Sequence, residues 1–184
     1  MGVCGVGKST VARALAERCE SGFVEADDYH PPENVEAMRN GVPLTDAMRW
    51  GWLDGVAAAA LAARKRHGGP VFLACSGLKK SYRDRLRRSL GPIAIIDLQA
   101  DKGLLAHRMR QRRGHFMSPR LLDSQIAAFE PPDPDAEGAI SINAAEPVEE
   151  IVRKALAGLR AGVLAAEVPT EETRTATVTR RKTQ

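Results

Sequence analysis

The stretch Gly2-Val3-Cys4-Gly5-Val6-Gly7-Lys8-Ser9-Thr10 decides the reading of this chain. It satisfies G-x-x-x-x-G-K-[ST] at every fixed position. Glycines at 2, 5 and 7 let the backbone wrap phosphate oxygens and turn its N–H groups inward. The following residues, KSTVARALAERCE (8–20), place Val11, Ala12, Leu15, Ala16 and Cys19 on one helical face. That helix aims its positive end at the same phosphates. Lys8 is placed to reach the β and γ phosphates, and the Ser9 hydroxyl to ligate Mg²⁺. The phosphate-binding set is therefore Gly2 to Thr10, and the ligand is a nucleotide such as ATP.

Outward from the loop, strands alternate with helices. Short apolar or β-prone runs stand at 22–26, 70–75, 93–98 and 139–143. Helices are predicted over 8–20, from Pro32 to Asn40 with a stop at Gly41, and from Thr45 or Asp46 to Arg66 with Gly68–Gly69 ending it. Further helices are predicted over 78–90, 102–113, 119–129 and 147–160, and 130–138 reads as loop. The pattern predicts an α/β fold, a central parallel sheet between helices on both faces. The domain spans 1–162. From Val163 the sequence is rich in Thr and charge without periodicity, and 163–184 is predicted to be a disordered tail.

Composition narrows the function. The chain has 184 residues, 43% hydrophobic and 27% charged, as expected for one globular domain. Three cysteines without C-x-x-C spacing fit a reducing cytoplasm rather than a disulfide framework or a zinc finger. No run is long enough for a membrane span. The net charge of +4 is unevenly placed: segments 79–88 and 108–120 each carry +5, and the remainder carries −6. Aromatics make up only 4%, so a nucleic-acid surface is not expected. The clusters read either as sites for small anions or as two solvated helix faces.

At the end of the run 22–26 stand Glu25 and Asp27, two carboxylates spaced i, i+2 at a strand end. One can orient Mg²⁺ through water; the other can accept a proton from an attacking hydroxyl. A polar turn is the alternative.

The loop taken together with ADDYHPPENVEAM (26–38), GVPLTDAMRW (41–50), CSGLKKSYRDRLR (75–87) and GHFMSPRLLDSQ (114–125) resembles the bacterial gluconokinases. These are small P-loop kinases of the shikimate kinase and nucleoside monophosphate kinase fold group, and the resemblance covers roughly 1–160. It implies transfer of the γ-phosphoryl group of ATP to D-gluconate, with Mg²⁺, in a cytoplasmic homodimer. Asp27 is expected as the general base and Glu25 as a metal residue through water, beside Ser9. Arg49, Lys79, Arg83, His30 and Gln125 are expected at the substrate, although Arg83 has a local acid as an alternative partner and Gln125 can instead brace the lid. A lid at about 112–124 is expected to carry a catalytic arginine, Arg112, with Arg108 against adenine or a phosphate.

Departures from the family pattern fall at Ala47 and Met48, where acids are usual, at Gly51 for proline, and at Gly77 for alanine. The alternatives are a kinase for another hydroxy acid such as shikimate, or a truncated, inactive nucleotide-binding homologue. The latter is motivated by the start: a strand is expected before the loop, and only Met1 precedes Gly2. Burial of such a strand is worth roughly 7–15 kcal/mol, so an upstream start is expected.

Overall fold

Strands at 22–25 and 71–74 each lead into a turn that carries candidate chemistry. In the computed structural model, which describes residues 1–111 and 121–167 with side chains through 162, the order begins with α1 (Lys8–Arg18) and β1 (Gly22–Glu25). A 3₁₀ turn (Ala26–Tyr29), α2 (Pro32–Arg39), α3 (Asp46–His67), β2 (Val71–Ala74) and α4 (Lys80–Leu90) follow. The remainder is β3 (Ile95–Gln99), α5 (Lys102–Gln111), α6 (Leu121–Ala127), α7 (Pro134–Glu137), β4 (Ala139–Asn143) and α8 (Val148–Glu167). Arg112 and the predicted lid up to residue 120 lie outside the described residues, as does the tail beyond 167.

The strands are parallel, as predicted, but they form two pairs: β1 with β2, Gly22 opposite Val71, and β3 with β4, Ile95 opposite Ala139. Met1 and Gly2 stand between the pairs. The Met1 amine donates to the Ile96 carbonyl, the Leu98 N–H donates to the Met1 carbonyl at 3.0 Å, and the Gly2 N–H donates to the Ser76 carbonyl at 3.2 Å. The phosphate loop is thereby fixed at the C-terminal ends of both pairs. Helices flank the strands: α1 packs on β1, β2 and α8, α3 on β1, β2 and α4, and α8 on β4.

The local reasons are readable. On α1, Val11, Ala12, Leu15 and Ala16 are buried, as the i, i+4 spacing dictates, while Cys19 is an exposed C-cap rather than part of that face. Thr45 caps α3 by accepting from the Met48 N–H at 3.4 Å, and Gly68 ends it at φ +69°. Trp52, Leu53, Val56, Ala57, Ala60 and Ala63 are its buried stripe. Two expectations are corrected. The segment read as loop contains α7, started by Asp133, whose carboxylate accepts from the N–H groups of Asp135 and Ala136 at 2.9 and 2.8 Å. The last helix runs to Glu167, past the expected boundary at 162, because VLAAE after Gly162 contains good helix formers. Among the described residues no helix is long and apolar enough to cross a membrane.

Candidate active site

The phosphate loop holds a conformation that its glycines make possible. Gly7 lies at φ +103° immediately before α1, and Gly2 at φ +136° approaches β3 so closely that a Cβ would stand 2.6 Å from the Leu98 carbonyl oxygen. α5 covers the loop from outside: a Cβ on Gly5 would meet Met109 and the Leu105 carbonyl at 3.0 and 3.1 Å. The first N–H groups of α1 receive no side-chain cap, which leaves them directed at the loop, a fitting cradle for phosphate oxygens. Lys8 curls back, its Nζ donating to the Val3 carbonyl at 3.1 Å. Ser9 is half-buried in the first turn and Thr10 is exposed.

Two predicted ligand residues brace this loop. Arg108, on α5, donates to the carbonyls of Val6 at 3.3 Å and Ala144 at 2.9 Å, tying the loop to the turn after β4. Gln125, buried on α6, accepts the Cys4 N–H at 2.8 Å. Its side-chain carbonyl serves a buried backbone donor of the phosphate loop.

The carboxylates sit where β1 ends. Glu25 is the last residue of the strand, and Asp27 lies in the 3₁₀ turn. Cys75, just past β2, feels the charges of both Asp27 and Lys8, so the loop lysine and this carboxylate converge on one strand end. Burial pushes the Cys75 thiol up to about 11, which keeps it protonated. Among the described residues no three His, Cys, Asp or Glu side chains group to hold a metal. A hydroxyl and one or two carboxylates nevertheless suit Mg²⁺, a hard ion that keeps waters and takes substrate phosphate oxygens as ligands.

The third group surrounds Tyr82. Lys79, preceding α4, donates to both oxygens of Asp46 at 2.8 and 2.9 Å, and the Tyr82 hydroxyl donates to the same carboxylate at 2.5 Å. Those two hydrogen bonds hold the Asp46 carboxyl below its ordinary range. Arg49 places its guanidinium 5.6 Å from the centre of the Tyr82 ring and donates to the Leu44 carbonyl at 3.4 Å, while its buried Nε has no hydrogen-bond partner among the described residues. His30 stacks on Trp52, ring centres 4.2 Å apart, and Trp52 donates its indole N–H to the Ala26 carbonyl at 2.8 Å. Burial, with Arg49 adding to it and Asp27 opposing it, pulls the His30 pKa down to about 4. The imidazole is neutral at physiological pH.

Arg83 departs from expectation. It is 2% exposed and its guanidinium is consumed by the protein: Nε and Nη2 grip Glu137 at 2.8 and 2.7 Å, and Nη1 donates to the carbonyls of Gly77, Leu78 and Glu130. The alternative of a local acid is the arrangement seen, Glu137, and the same guanidinium anchors the turn carrying Lys79. The structure thus brings together Lys8, Asp27, His30, Arg49 and Lys79 at the strand ends, and sets Arg83, Arg108 and Gln125 behind them. Sequence reasoning missed Tyr82 as a partner of Lys79. The signal was its place three residues on, one helical turn along the same face. Of the departures, Ala47 and Gly51 are exposed on α3, Met48 is partly buried, and Gly77 adopts φ +54°, which glycine tolerates better than alanine.

A phosphate loop at parallel strand ends, facing carboxylates and a cationic cluster, defines a P-loop kinase. A family model described as an AAA domain matches residues 1–132. The gluconokinase of Gluconobacter oxydans is 46% identical over 135 residues, 73% of this chain and 75% of that protein. The thermoresistant gluconokinase of Escherichia coli is 33% identical over 162 residues, 88% of this chain and 92% of that protein. A solved gluconokinase from Sinorhizobium meliloti 1021 matches with a TM-score of 0.74 at 45% identity, over 87% of this chain and 89% of that one. The chain belongs to the gluconokinase family.

Proposed function

We propose that this protein transfers the γ-phosphoryl group of ATP to the terminal hydroxyl of D-gluconate, giving 6-phospho-D-gluconate. The observation that carries the reading is the pair of sites at the strand ends: an uncapped α1 terminus with Lys8 on one side, and Lys79 and Arg49 around Tyr82 on the other. The first suits a polyphosphate. The second suits an acceptor that is itself an anion and a polyol. In this reading Lys79 and Arg49 take the carboxylate of gluconate, and His30, neutral, bonds a hydroxyl. Asp27 accepts the proton of the attacking hydroxyl as its oxygen bonds to the γ-phosphorus and ADP leaves. Lys8 follows the transferring charge as a mobile point cation. Mg²⁺, held by Ser9 and through water by Glu25, would neutralise phosphate charge when bound. Arg112 is assigned to the lid by resemblance.

The test is ADP release with purified protein, ATP and Mg²⁺, comparing gluconate, shikimate and no acceptor. Turnover dependent on gluconate is expected. ATP binding without gluconate turnover, or turnover with shikimate alone, overturns the assignment.

A further inference from the structure

The cations on the acceptor side of the site gather around an acid. Asp46 is the first residue of α3, directly after the capping Thr45. Its carboxylate takes hydrogen bonds from the Lys79 ammonium at 2.8 and 2.9 Å and a further one from the Tyr82 hydroxyl at 2.5 Å. Arg49 stands three residues further along α3, on the same face. Its guanidinium lies 5.6 Å from the centre of the Tyr82 ring, and the Lys79 Nζ lies 5.7 Å from the same centre. Asp46 alone supplies acid to the first turn of α3, because Ala47 and Met48 fill the next two positions. Glu130 also acts on Tyr82, but its carboxylate accepts the Lys80 N–H at 2.6 Å.

This arrangement leaves both cations able to take a ligand. An ammonium has three N–H donors, of which the two oxygens of Asp46 occupy two. A guanidinium has five, and Arg49 gives one to the Leu44 carbonyl. An incoming carboxylate can therefore bond to both while Asp46 stays in place. What Asp46 takes away is charge. Two cations and one shared carboxylate leave a single positive charge, the complement of one acceptor carboxylate. The side chains of Lys79 and Asp46 are 30% and 47% exposed, so the field they set reaches the open site and is screened by salt.

We propose that Asp46 is a specificity-determining residue acting through Lys79: it matches the charge of the acceptor pocket to one carboxylate, and so limits how tightly that carboxylate is held in acceptor and product. This role rests on the reading in which Lys79 and Arg49 take the acceptor carboxylate. It differs in sign from mere support of Lys79. Loss of a support weakens binding of every ligand. Loss of a balancing charge strengthens binding of anions and leaves neutral isosteres alone.

The test is calorimetric binding, without ATP, of D-gluconate and of its uncharged amide, D-gluconamide, to the wild type, Asp46→Asn and Asp46→Glu. Asparagine keeps an oxygen that accepts from Lys79 and Tyr82 but loses the charge; glutamate keeps the charge. At low salt Asp46→Asn is expected to bind gluconate about tenfold tighter than the wild type, and gluconamide within about twofold. The gain should shrink to about threefold or less near roughly 0.5 M salt. Asp46→Glu should bind both ligands as the wild type does. Asp46→Ser, also neutral, takes the place of Asp46→Asn if that variant does not fold. Weaker binding of both ligands by the neutral variant, an equal gain for both, no change, or a gain for gluconate that salt leaves intact overturns the proposal. A wild type that binds gluconate no better than its amide overturns the reading of Lys79 and Arg49, and the proposal with it.

Discussion

The phosphate loop and the basic segment that opens α4 both carry the family's motifs, yet the structure uses them differently. In the loop, function lies in consecutive backbone: Gly2, Gly5 and Gly7 all take positive φ, a conformation that the glycines themselves make possible. In the basic segment, function lies in side chains that part company. Lys79 reaches a half-exposed carboxylate on α3, while Arg83, four residues on, is sealed against Glu137. A motif that acts through its backbone can be interpreted from the chain. A motif that acts through its partners cannot, because the partners come from 33 and 54 residues away.

The loop side of this comparison is broken most severely by Lys8→Ala. Among the described residues its amine donates to the Val3 carbonyl, a contact within the loop itself, so the fold should persist, with an unchanged thermal midpoint. Phosphoryl transfer should fall by about 10³-fold or more, as for other cations that stabilise a transferring phosphate. Steady-state ADP release with gluconate measures it. Asp27→Asn is next: the variant is nearly isosteric but cannot take a proton, and kcat should fall by about 10²–10⁴-fold. A silent Asp27→Asn beside an inactive Asp28→Asn would move the base by one residue.

How far the sequence could be read follows the same division. The capping of α3 by Thr45 and its stop at Gly68 were legible because both are local chemistry. All four strands were legible as short apolar or β-prone runs, and the break into two pairs was not, because pairing is decided across the sheet. α7 carried an unread signal, Asp133 before Pro134, an N-cap followed by proline in the first turn. That short helix delivers Glu137 to Arg83, so missing it also concealed the anchor. Gln125 and Arg108 were recognisable as polar residues near the lid, but their partners, Cys4 and Val6, lie 121 and 102 residues away.

The basic segment offers a paired test. Arg83→Met should leave Glu137 buried and largely unpaired, costing about 3–5 kcal/mol, read by denaturant unfolding. Hydrogen bonds from Arg83, with smaller help from the Asp133 N–H and Arg87, hold the Glu137 carboxyl at about 2 against an ordinary 4.5. A depressed carboxyl stabilises the fold above its unfolded pKa, so this contribution is lost as pH falls from about 4.5 towards 2. The Arg83→Met protein should show a shallower loss over that window. Lys79→Ala should instead keep the wild-type midpoint and raise KM for gluconate by roughly 10–100-fold, the loss of one charge-assisted contact. If both variants merely raise KM, the division between anchor and ligand is wrong.

The smallest expected effect lies at His30, where the two regions meet between Asp27 and Arg49. Its pKa near 4 means the folded protein stays unprotonated there while an unfolded chain takes up the proton near 6.5. Between those values the unfolded state binds more protons, so stability falls as pH drops from about 6.5 towards 4 and is fully present above. His30→Gln keeps a polar side chain and removes the titration. Thermal midpoints measured from pH 7 to pH 4 should therefore decline more gently in the variant than in the wild type. The rate should behave differently from a histidine base. A neutral imidazole that only bonds a substrate hydroxyl has no protonation change between pH 5 and 8, so kcat/KM for gluconate should show no wild-type inflection over that range that His30→Gln abolishes. An inflection near 6.5 that disappears in the variant would mean that His30 is charged in the working enzyme, and that the stacking on Trp52 gives way when substrate enters.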